Sequence, residues 1–60
     1  MYEATSAQVA AESKLMKQGF RFGNWISAFD GDETHGCMVM VKRSKGRSEY
    51  REIDPSGEIH

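Results

Sequence analysis

The sequence predicts an α+β fold, one amino-terminal helix packed on an antiparallel β-meander of three to four strands. Three observations carry this prediction. Helix-forming residues follow a capping signal at the start of the chain, an aromatic-rich segment and an all-apolar segment come after it, and two turn signals punctuate the remainder. Sixty residues allow a single small domain over 1–60, because a chain of this length buries only about 60% of its unfolded surface.

In "ATSAQVAAESKLMKQGF", Thr5 and Gln8 stand at capping-box spacing, and good helix formers follow up to Gly19, which suits a left-handed C-cap. This spacing predicts a helix over about 6–18. At 100° per residue Ala4, Ala7, Ala11 and Leu15 share one face, whereas Val9 and Met16 lie nearly opposite. One stripe is expected to meet the chain's own sheet. The other is either incidental or meets a second subunit.

Aromatic and β-branched residues dominate "FRFGNWISAFD", which predicts a strand over about 20–29. Phe20 and Phe22 alternate in phase with Ile26 and Ala28 but out of phase with Trp25 and Phe29. A bulge at Gly23-Asn24 would reconcile the two patterns. "GDETHG" is a polar connection, and "CMVMV" then reads as a central strand buried on both faces, over about 37–43.

"RSKGR" has the chemistry of a tight hairpin, so a third strand is expected over about 48–54. "DPSG" is a turn in which Asp54 accepts from the turn backbone and Gly57 tolerates positive φ; a short last strand over 58–60 would make the fourth. One helix can cover only one face of this sheet. A partner subunit is the economical cover for the other, so a homodimer is expected, with Met16, Met38 and Met40 as candidate interface residues.

The lone cysteine, Cys37, excludes an intrachain disulfide, and neither a secretory signal nor an apolar run of membrane-spanning length occurs. The chain is expected to be cytoplasmic and without a membrane partner. Its net charge of −1 argues against nonspecific attraction to polyanions over the whole surface.

Charge is nonetheless concentrated. Lys42, Arg43, Lys45, Arg47 and Arg51 face a single acid, Glu49, giving Cys37 to Arg51 a formal +4 and leaving −5 elsewhere. Clustered cations release counterions on meeting phosphates, and a nearby Tyr50 could stack on unpaired bases. These six residues are the candidate nucleic-acid contacts. The bland reading is a solvated hairpin tip whose lysines and arginines also guard a sheet edge.

Other constellations fail on their chemistry. "DGDETHGC" imitates the start of a calcium loop, but position six is His35 instead of glycine and position twelve is Val41 instead of glutamate. His35, Cys37 and His60 fall short of four zinc ligands within one chain. Cys37 beside His35 is a nucleophile and base by type only, with no third group to orient them. No cofactor, metal or catalytic residue is expected.

The function expected is therefore binding by a small non-enzymatic protein, nucleic-acid-binding or regulatory, acting through the basic hairpin. The alternative is a protein-interaction module, a dimeric adaptor or inhibitor, that meets a larger protein through a sheet face or the helix.

Overall fold

The structure, a computed structural model, describes residues 3–26 and 36–60. Helix α1 (Ser6–Lys17) leads into strands β1 (Arg21–Ile26), β2 (Cys37–Ser44) and β3 (Arg47–Ile53). The strands form an antiparallel sheet in the order β1-β2-β3, so the architecture is α+β with β2 at the centre. Ser27 to Phe29 of the expected first strand, and the acidic connection up to His35, lie outside the described residues.

Local chemistry sets both ends of α1. Thr5 adopts an extended conformation and its hydroxyl accepts from the Gln8 backbone N–H at 3.0 Å, while Gln8 Oε1 accepts from the Thr5 N–H at 2.9 Å. This is the reciprocal capping box that the spacing predicts. At the other end Gly19 has φ +103°, Phe20 N donates to Leu15 O and Gly19 N to Met16 O, both at 3.0 Å. That pair of bonds is a Schellman motif, with Phe20 and Leu15 as its hydrophobic contact in the core.

The sheet register slips by one residue between Phe22 and Asn24, which places the bulge at Gly23. A Cβ there would stand 3.1 Å from the Val39 carbonyl oxygen, so the missing side chain lets the bulged backbone lie close to β2. The slip brings Phe22 and Trp25 onto the same face, opposite Met40 and Met38, with their rings edge to face at 5.4 Å. Lys45 (φ 48°) and Gly46 (φ 79°) form the two-residue turn between β2 and β3, with positive φ at both central positions as a type I′ hairpin requires.

Ala11 and Leu15 of α1 pack with Phe20, Met38, Met40 and Ile53, and Trp25 closes one side of this cluster. The helix therefore covers the methionine row of β2. Met38 and Met40, expected as candidates for an intersubunit surface, are instead buried by the chain's own helix and keep no surface for a partner. Met16 and Val9 remain on the outside of α1.

The buried stripe of α1 also differs from the expected alanine row: it runs Gln8, Ala11, Leu15, and Ala4 and Ala7 are exposed. Gln8 enters the core because its amide has work there. Nε2 donates to the Gly36 and Ile53 carbonyls at 2.7 and 3.3 Å, the points where β2 begins and β3 ends. In place of a fourth strand, the end of the chain makes one bridge, Ile53 to Ile59.

Candidate nucleic-acid interface

The hairpin's cations are arranged by register. β1 begins opposite Val41, so the three outer rungs of the hairpin, Lys42/Glu49, Arg43/Ser48 and Ser44/Arg47, extend past it as a two-stranded ribbon. Strand alternation then sorts the side chains. Lys42, Ser44, Arg47, Glu49 and Arg51 share the face that α1 covers further down, whereas Arg43, Ser48 and Tyr50 share the opposite, open face with Arg21, Val39 and Val41.

Mainly on the helix side, an open groove of about 590 Å³ is lined by Lys42, Lys45, Arg47 and Arg51 with Ser44, reaches Ser48 at the ribbon's edge, and has Glu49 as its one acid. Two of these cations stand over Phe20. The Lys42 Nζ lies 5.9 Å and the Arg51 Cζ 5.6 Å from the centroid of this buried ring. The π face attracts each cation and holds two like charges at one wall of the groove. The Lys42 stem passes close to Gly19, where an added Cβ would stand 3.4 Å from the Lys42 Cε.

Arg51 has two further partners, donating to the Tyr50 carbonyl at 2.8 Å and approaching Glu49 at 3.7 Å. The ion pair is solvent-exposed and contributes little to stability. It leaves most of the five guanidinium donors open to an anion.

The six residues singled out in the sequence are thus not one patch. Lys42, Arg47 and Arg51 meet in the groove with Lys45 at the tip, while Arg43 and Tyr50 lie on the reverse face. Arg21, absent from that set, joins Tyr50 across Val41. It stands twenty residues before Val41 in the sequence, and only the register through the Gly23 bulge brings it there.

A second polar cluster surrounds the last turn. Asp54 Oδ1 accepts from Ser56 N at 3.0 Å, Ser56 Oγ at 2.6 Å and Glu58 N at 2.9 Å, and Asp54 Oδ2 meets His60 Nε2 at 2.9 Å. The bond to His60, then that to Ser56, holds the Asp54 carboxyl well below the usual carboxylate range, and the same contact raises His60. Asp54, Glu58 and His60 place three ligand-type atoms within 4.8 Å of one another. The Asp54 carboxylate is already committed to closing the turn.

Cys37 is 1% exposed, and burial, reinforced by Glu52 and Asp54, pushes its thiol up. A protonated, enclosed thiol is a poor nucleophile. His35, weighed with it as a base or ligand, lies outside the described residues. Among the described residues no helix is long and apolar enough to cross a membrane. Comparison with protein families, with characterised proteins and with solved structures finds no match to this chain.

Proposed function

We propose that this chain is a non-enzymatic binding protein that grips the phosphates of a nucleic acid through the β2–β3 hairpin. The observation that carries this reading is the groove beside Phe20, where Lys42, Lys45, Arg47 and Arg51 converge on one open space with a single acid among them. Cations already held at a surface lose little side-chain entropy when they meet a phosphate, and each contact releases condensed counterions. The rest of the chain sums to −5, so the hairpin segment is where cations outnumber acids.

The salt dependence of binding tests the reading. Log affinity should fall linearly with log salt, and replacing both Lys45 and Arg47 with alanine should weaken binding and flatten the slope by about 1.4 to 1.8. A chain that binds neither single-stranded nor duplex nucleic acid at low salt would not have this function.

A second reading, a module that binds another protein, is favoured by the exposed Phe22 and Ile26 on β1. Their strand lies at a sheet edge, where main-chain pairing with an added strand is available. It predicts capture that is indifferent to nuclease and to moderate salt.

A further inference from the structure

The open face of the sheet carries a pattern that a basic hairpin tip does not require. Arg21, Val41 and Tyr50 form one row across the three strands, and Arg43 and Ser48 form the next row toward the tip. Tyr50 is 60% exposed beside the half-buried Val41. Adjacent strands are about 4.8 Å apart and same-face neighbours along a strand roughly 6.8 Å, so two guanidinium groups flank one ring-and-valine surface roughly 10 Å wide. Neither row contains an acid. Among the described residues the first, Glu52, stands one row further back, opposite Val39.

Resting on the reading that the hairpin meets nucleic acid, we propose that this face binds an unpaired strand, with a base stacked on Tyr50 and the flanking phosphates held by Arg21 and Arg43. The ring and the cations are both needed to select this occupant. A duplex keeps its bases stacked on one another and presents phosphates alone, which would leave Tyr50 idle. An acidic protein surface matches the cations but gives the ring no particular partner. A second copy of the chain packed face to face would set the basic rows against themselves, and like charges in an interface oppose association. An unpaired strand offers a π face and a phosphate at every nucleotide. Arg21 donates to the Phe20 carbonyl at 3.1 Å, which fixes one end of its guanidinium and leaves the other donors for phosphate.

Fluorescence anisotropy at low salt with a labelled short oligouridylate, and with the duplex it forms with its complement, tests the assignment on the full chain. The wild type should bind the single strand about tenfold or more tighter than the duplex. Tyr50→Ala should remove about tenfold of the single-strand affinity while Tyr50→Phe retains it, because stacking uses the ring and not the hydroxyl. Arg21→Ala should weaken the single strand and flatten its salt slope by about 0.7. Far-UV circular dichroism should be unchanged in each variant, since both residues are exposed. Equal or tighter duplex binding, indifferent to Tyr50→Ala but weakened by Arg47→Ala, would overturn the platform and leave the hairpin reading standing. Binding of neither probe would overturn both.

Discussion

The side-chain amide of Gln8 donates to the carbonyl of Gly36 at 2.7 Å, across twenty-eight positions of sequence. Its second bond, to the Ile53 carbonyl, and its oxygen's contact with Thr5 N make one fully buried side chain the junction of helix start, β2 start and β3 end. Gln8→Ala should therefore remove one half of the capping box and the amide donor that the two carbonyls share, at a cost of about 1 to 3 kcal/mol. Gln8→Glu should be worse at neutral pH, because a buried carboxylate would face two carbonyl oxygens and donate nothing. Urea unfolding followed by circular dichroism reads both, and the Glu variant should partly recover as pH falls and the carboxyl regains a proton to donate.

Two glycines with positive φ differ in what surrounds them. Gly46, at the hairpin tip, has nothing within 4 Å of a would-be Cβ, whereas at Gly57 that atom would lie 2.7 Å from the Ala7 Cβ and 2.9 Å from the Ala7 carbonyl oxygen. Gly46→Ala should cost only the left-handed backbone term, about 1 to 2 kcal/mol. Gly57→Ala should cost clearly more, since the turn must also move off α1 and strain the bond from Thr5 Oγ1 to the Pro55 carbonyl, 2.8 Å long. Ala7→Gly should return only part of the loss, because the Ala7 carbonyl contact is backbone. Midpoints of chemical denaturation for the three variants give the order.

The Asp54 and His60 contact makes stability depend on pH in two directions. Asp54 is depressed in the folded chain, so its contribution is complete above the ordinary aspartate range and is lost as pH falls through the lower folded value. His60 is raised, so the contribution of its proton is complete below about 6.5 and is lost as pH rises through the higher folded value. Stability from this pair should peak between about pH 4 and 6.5. His60→Ala should abolish the decline on the alkaline side that this pair causes, and Asp54→Asn should abolish both; unfolding midpoints measured across pH separate the cases.

Much of the fold was legible because its signals are local. The Thr5/Gln8 box, the Gly19 cap, the Gly23 bulge, the Lys45-Gly46 hairpin and the Asp54 turn each depend on residues within a few positions of one another. What the sequence left hidden is set by contacts distant along the chain. Gln8 looks like a polar helix position until Gly36 and Ile53 arrive as acceptors, and Met38 and Met40 look available until α1 is known to lie on their face. The candidate site was legible as charge, not as geometry: composition located the five cations, but only strand register divides them between a groove and a platform and adds Arg21.

Cys37 offers a direct measure of how tightly β2 is enclosed. It occupies the first position of the central strand and is almost wholly buried, and its thiol is raised by burial and by the nearby Glu52 and Asp54. Reaction with a thiol-specific disulfide reagent needs both access and ionisation, so the folded chain should react slowly at neutral pH, at a rate limited by opening of the structure. Denaturant should accelerate modification to that of a free thiol, and Gly57→Ala should accelerate it in water in proportion to the stability it removes. Rapid stoichiometric labelling of the native protein at neutral pH would show that the start of β2 is open and would contradict this placement of Cys37. If Cys37 is enclosed as found, Cys37→Ala should also leave binding to nucleic acid unchanged, since Cys37 is buried at the end of β2 away from the cations, four positions from Val41.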